Sequence, residues 1–455
     1  MVQAHWLDIA GIRAGLEGGT LGAEALAEHQ LTRIAARRDN AIVTLTPDLA
    51  LDAARQVDRG QLTGPLAGVP MVIKDIVDVK GVATTVAMPS RQDHRASADA
   101  TVVARLRAAG AVILGKANMT EGAYAEHRPP FGAPVNPWSA DHWCGASSSG
   151  SGVAVAAGLA TAAIGTETGG SIRLPSAMNG TTGLKPTWGR VSRHGVHELA
   201  ASLDTVGPLA RSAEDVARIY QVIAGHDPLD ATSTTRGVES DTGDLRGFRI
   251  GVDPRFAGVD VDAQVSAAQE AAIAVLVAQG GRIVPVAMPD TSRLIWDFFD
   301  ICAVEAAIAH RDHFDAHADS YGPVLADVIR RGRALDAVAY EDLQRRRRAF
   351  RGALDAVLDQ VDGVLSPVLS FPVPTSRQMA TWSDELIGGL HRFTCPFTIS
   401  GHPAVCFPAG VCSAGLPINL QLIGRAFGEA TLLRGARGFQ AVTDYHLRHP
   451  EELSR

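Results

Sequence analysis

Apolar runs of strand length alternate with helical patterns between residues 66 and 159, and this alternation constrains the fold more than any other feature. Met71-Val72-Ile73 reads as a strand, 101–109 as a helix, and Ala111-Val112-Ile113-Leu114-Gly115 as a second strand. An alanine-rich helix over 153–159 then opens directly after a glycine-serine loop. Short continuous apolar runs suit strands covered on both faces, with helices as the crossovers. The pattern predicts an α/β fold: a large, mostly parallel mixed sheet covered on both faces by helices.

The rest of the chain extends this pattern. Residues 1–64 read as helical, with amphipathic stretches over 24–38 and 47–59. The segment 231–247 is rich in Thr, Ser, Gly and Asp and resembles a linker. Beyond it, strand patterns recur at 248–252 and 282–286, helical patterns fill 295–360, and strands return at 363–367 and 415–424. Strands on both sides of 231–247 can complete one sheet. The expectation is therefore a single domain over 1–455, with 231–247 a surface loop and 248–455 the remainder of the α/β fold.

Charge and cysteines exclude several functions. A net charge of −7 argues against nucleic acid as the main partner. Arg345-Arg346-Arg347-Arg348 is read as a solvated helix face offset by Asp336, Glu341 and Asp342. Five cysteines without a CxxC pair predict free, mostly buried thiols in a reducing compartment. No stretch has the length and apolarity of a membrane span, and the start lacks the pattern of a signal peptide. A soluble cytoplasmic protein without a membrane partner is expected.

Chemistry concentrates at three places. Lys74 ends the apolar run Leu66-Ala67-Gly68-Val69-Pro70-Met71-Val72-Ile73, where burial would favour its neutral form. Cys144-Gly145-Ala146-Ser147-Ser148-Ser149-Gly150-Ser151-Gly152 supplies hydroxyls on a flexible backbone. Thr168-Gly169-Gly170-Ser171 can aim successive N–H groups at one point beside a serine, as an oxyanion hole requires. A phosphate loop is excluded because the only Gly-Lys, Gly115-Lys116, is followed by Ala117. GxSxG and SxxK motifs are absent. His310, His313 and His317 share one face of a predicted helix and could bind metal, but a polar helix face beside Asp312 and Asp315 is the preferred reading.

Together these segments resemble the amidase signature family, Ser-Ser-Lys hydrolases that include fatty acid amide hydrolase, malonamidase and the glutaminase subunit of tRNA-dependent amidotransferases. The chain carries GASSSGS at 145–151, GTETGGSIRLP at 165–175 and GLKPTWGRVSR at 183–193. The likeness continues through 202–208, returns at 417–424, and is strongest over 65–215. It implies Lys74 as base, Ser147 as proton relay and Ser171 as nucleophile, with a cis peptide bond between Ala146 and Ser147. Thr168, Gly169 and Gly170 would hold the oxyanion, and the relay needs no metal or cofactor.

Several positions depart from the family pattern. Ala146 and Ser149 replace glycines, and Glu167 stands where Asp is usual. Gly122 replaces a bulky aromatic, which would enlarge the acyl pocket for aryl or urethane-type carbamate substrates. His391 aligns with the aspartate that binds glutamine in glutaminase subunits. The resemblance therefore implies hydrolysis of linear carboxylic amides, with esters, anilides and carbamates within chemical reach. The alternatives are a non-catalytic binding protein of the same fold and the glutaminase component of an amidotransferase. The expected partners are a small amide substrate and water, and a homodimer is the assembly considered.

Overall fold

The computed structural model describes residues 4–451 apart from Ala125 and Trp382. Among the described residues, eleven strands form one sheet. In chain order they are β1 (Ile42–Leu45), β2 (Pro70–Lys74), β3 (Val112–Ala117), β4 (Ala162–Glu167), β5 (Thr182–Lys185), β6 (Thr205–Ala210), β7 (Arg249–Val252), β8 (Arg282–Pro285), β9 (Gly363–Pro367), β10 (Ala404–Val411) and β11 (Pro417–Ile423). Their spatial order is β1-β3-β2-β4-β6-β5-β10-β11-β9-β7-β8. Strands that precede and follow 231–247 thus share one sheet, joined through β5 and β10. The segment 231–247 contains no helix or strand, and its Arg236 and Gly237 carbonyls accept from the buried Arg190 guanidinium. The N-terminal part, read as helical, also supplies the edge strand β1.

Alternate side chains of β2, β3 and β4 enter two separate cores. Met71, Ile73, Ile113, Ala162 and Ile164 pack on one face with Val102, Val103 and Leu106 of the helix Thr101–Ala108. Val72, Val112, Leu114 and Ala163 pack on the other face with Val153, Ala154 and Val155. Those last three belong to the helix Ser149–Ala156, which starts earlier than its apolar pattern suggested. Covering both faces explains why these strands read as unbroken apolar runs.

The sheet is mixed but not mostly parallel, which corrects the expectation. Four pairings are parallel, at β3–β2, β2–β4, β9–β7 and β7–β8, and six are antiparallel. One of the antiparallel pairs, β1–β3, lies at one edge, and the other five form the centre. There β10 returns as β11 through the short turn 412–416, and β5 reaches β6 through a loop without a helix. A strand buried on both faces has the same composition in either direction, so periodicity did not reveal this.

The arginine run departs from a purely solvated face. On the helix Ala337–Leu358, Arg346 pairs with Asp297 at 2.8 Å, and Arg347 donates to the Ser202 hydroxyl and carbonyl and to the Ile399 carbonyl. These contacts brace the helix against Leu294–Ala309 and the loop before β6. Arg348 pairs with Glu341 on the surface. Among the described residues no helix is long and apolar enough to cross a membrane.

Candidate active site

Three adjacent parallel strands, β3, β2 and β4, end at the same edge of the sheet. In open α/β sheets the carboxyl ends of such strands are where ligands bind. Lys74 is the last residue of β2, and Glu167 is the last of β4, followed at once by Thr168-Gly169-Gly170-Ser171. The glycine-serine loop enters the same place as the helix Ser149–Ala156 begins.

Lys74 is fully buried. Its Nζ donates to Ser147 Oγ at 2.7 Å, to Thr166 Oγ1 at 2.9 Å and to the Thr166 carbonyl at 3.3 Å. Burial pushes the lysine down to about 7, against the opposing pull of the Asp204 and Glu167 carboxylates. A lysine so poised is available as the free amine near neutral pH and can accept a hydroxyl proton. The Ala146–Ser147 peptide bond is cis.

Ser171 lies beside this pair. The Ser148 N–H donates to the Ser171 carbonyl at 3.2 Å, which ties the two serine segments together. Among the described residues, Ser147 and Ser171 share no side-chain hydrogen bond, so the first link of the expected relay is formed and the second is open. Ser147 is buried, whereas Ser171 is partly exposed. Ser148 bonds the Thr166 backbone and Ser151 the Ile164 carbonyl, so both act as loop fasteners. Ser149 Oγ sits 2.7 Å from His127 Nε2.

The turn before Ser171 is built for an anion. Among the described residues, the N–H groups of Gly169, Gly170 and Ser171 have no hydrogen-bond acceptor. The Gly169 carbonyl accepts from Thr394 Oγ1 at 2.7 Å and from Cys395 Sγ at 3.4 Å. Because the peptide is planar and trans, fixing that carbonyl aims the Gly170 N–H the opposite way. Gly170 has φ +145, a conformation side chains disfavour, and a Cβ at Gly169 would overlap the Phe298 ring. Thr168 Oγ1 donates to the buried Asp204 carboxylate at 2.6 Å. Burial raises Asp204 to about 6, despite donation from Thr168 and the Leu199 and Ala200 N–H groups. A cavity of about 270 Å³ borders Thr166, Thr168 and Asp204.

Glu167 and Arg173 anchor this turn. Burial alone would raise Glu167, but the Arg173 guanidinium holds it below the usual carboxylate range. The carboxylate also accepts the Ile172 and Arg173 N–H groups, both at 3.1 Å, so it fastens the start of the helix Arg173–Asn179. Arg173 reaches on to Gln421 at 2.9 Å and to the Thr394 carbonyl at 2.8 Å. Arg173→Met would strand a buried carboxylate, which typically costs about 3–5 kcal/mol. The expected result is an unfolding free energy, read by urea titration, lowered by that amount.

Other sequence candidates fall elsewhere. Leu325 Cδ2 lies 2.5 Å from where a Gly122 Cβ would sit, so the space this glycine opens is already filled. That corrects the expectation of an enlarged acyl pocket. His310 is buried rather than on a polar face, and it shares the Tyr321 hydroxyl with His313, at 3.0 and 2.8 Å. Among the described residues no group of three such side chains could hold a metal ion. Sequence reasoning missed Thr166, Asp204, Thr394 and Cys395. The first two stand in recognised motifs, but their partners are distant in sequence.

AmiD of Mycobacterium tuberculosis (strain ATCC 25618 / H37Rv) is 45% identical over 417 residues, covering 89% of this chain and 87% of the relative. A glutamyl-tRNA(Gln) amidotransferase subunit of Chloroflexus aggregans (strain MD-66 / DSM 9485) is 38% identical, covering 99% of both chains. The solved structure of the peptide amidase PAM with chymostatin superposes with a TM-score of 0.85 at 30% identity, covering 99% of both chains. Fold and relatives define a hydrolase acting on carbon–nitrogen bonds. The chain belongs to the Amidase family, whose model matches residues 25–433.

Proposed function

We propose that this chain hydrolyses linear carboxylic amides through an acyl-serine intermediate, with Ser171 as nucleophile, Ser147 as relay and Lys74 as base. The observation that carries the reading is the 2.7 Å contact between the buried Lys74 amine and Ser147, beside the turn that bears the unpaired N–H groups of 169–171. Neutral Lys74 takes the Ser147 proton as Ser147 takes that of Ser171, whose Oγ attacks the amide carbon. The oxyanion is held by backbone N–H groups of Thr168, Gly169 and Gly170. On collapse, Ser147 protonates the leaving nitrogen, and Lys74 returns its proton to Ser147. Water then attacks the acyl carbon, loses its proton into the same relay, and Ser171 leaves with a proton restored. Esters and urethane-type carbamates offer the same carbonyl to the same serine. Five free, buried cysteines support a reducing, cytoplasmic setting.

A second reading, the glutaminase subunit of a tRNA-dependent amidotransferase, is favoured by the 38% identity to one such protein. Against it, His391 stands where a carboxylate would meet the glutamine ammonium, and burial lowers this imidazole to about 4, which keeps it neutral. The test is turnover of a panel of aliphatic amides, anilides, carbamates and glutamine, alongside fluorophosphonate labelling. Amide cleavage with labelling lost in Ser171→Ala is expected. Glutamine as the sole substrate would favour the second reading, and no turnover or labelling would overturn the first.

A further inference from the structure

The helix Leu294–Ala309 brings three aromatic rings to the edge of the candidate site. Phe298 lies directly against the α-carbon of Gly169. Its ring stands 5.3 Å from Phe299 and 6.4 Å from His391, centroid to centroid. Phe299 in turn meets His391 edge-on at 5.6 Å, Trp296 at 6.1 Å and Tyr124 edge-on at 6.4 Å. These spacings are those of favourable aromatic pairs.

Phe298 is buried, but the rings around it are not closed off. Tyr124, Phe299 and His391 are half-buried, and Trp296 is 42% exposed. Ser171, on the same loop that Phe298 covers, is partly exposed as well. Large rings left facing solvent together, next to a partly open serine, mark a binding surface rather than unfinished core. Arg331 and Asp300, which both act on the Tyr124 hydroxyl, pair with each other at 2.5 Å. His391 adds no charge at neutral pH.

We propose that Tyr124, Trp296, Phe299 and His391 form the specificity wall of the site and select amides that carry an uncharged aryl group. This rests on the reading of Ser171 as an amide-cleaving nucleophile. Flat rings gain from offset or edge contact with the wall, whereas a flexible alkyl chain of equal apolar area does not. A substrate with an ammonium or carboxylate would lose its hydration there without finding a partner.

The test compares kcat/KM for benzamide and acetanilide with that for hexanamide, in the wild type and in Trp296→Ala and Phe299→Leu. Benzamide and acetanilide separate an aryl group on the acyl side from one on the amine side. At least a tenfold preference for one of the aryl amides is expected, with that ratio falling at least fivefold in each variant. Trp296 is exposed, so its removal leaves the core intact, and an unchanged thermal midpoint verifies this. A general loss of structure would lower both rates and leave the ratio unmoved. The same comparison by calorimetry in Ser171→Ala reads binding without chemistry. Aryl selectivity in that binding, with no amide turnover by the wild type, would overturn the nucleophile and keep the wall. Hexanamide or glutamine preferred, or a ratio unchanged in both variants, would overturn the wall whether or not amides are cleaved.

Discussion

Ser171→Ala is expected to lower kcat by about 10⁴-fold or more, as removal of a nucleophile does where several groups act as one unit. The reason is positional. Ser171 is the member of the Lys74–Ser147–Ser171 set that opens toward solvent, whereas Lys74 and Ser147 are buried behind it. The unpaired N–H groups of 169–171 would still bind the carbonyl, so substrate affinity should survive better than turnover. Single-turnover kinetics with the favoured amide separates the two effects. Ser147→Ala should leave some labelling by a fluorophosphonate, whereas Ser171→Ala should leave none. Labelling retained in Ser171→Ala would move the nucleophile to another hydroxyl.

Lys74→Ala should cost about 10²–10⁴-fold in kcat, the usual range for a positioned general base. It should also change the pH profile. With the wild-type lysine lowered to about 7, its protonated form dominates below that pH and cannot accept a proton. Activity is therefore expected to rise with pH through about 7. That limb should vanish in Lys74→Ala. Asp204 and Glu167 both favour the charged lysine, so Asp204→Asn should move the limb to lower pH. A limb that stays in place when Lys74 is removed would assign it to another group.

The residues in which the sequence and the folded chain agree are those whose role depends on local pattern. Strands β2 and β3 were readable as short apolar runs, because both of their faces are buried. Lys74 was readable because it ends such a run, and Ser147 and Ser171 because they stand inside dense glycine-serine motifs. Strand direction was not readable, since a doubly buried strand looks the same either way. Gly122 misled for a related reason. A missing side chain reports a space, and only the packing of Leu325 shows that the space is filled.

The chain's sequence by itself determined the family, the α/β class and the three side chains around which the chemistry is proposed. Tertiary structure decided what surrounds them. It joined Asp204 to Thr168, Thr394 and Cys395 to the Gly169 carbonyl, and Gln421 to Arg173, pairs that lie far apart in the chain. It also set Trp296 and Phe299 beside Tyr124 and His391. Local pattern encodes which face of an element is buried. Which distant element covers that face is a property of the packed sheet, and the walls of the site are made there.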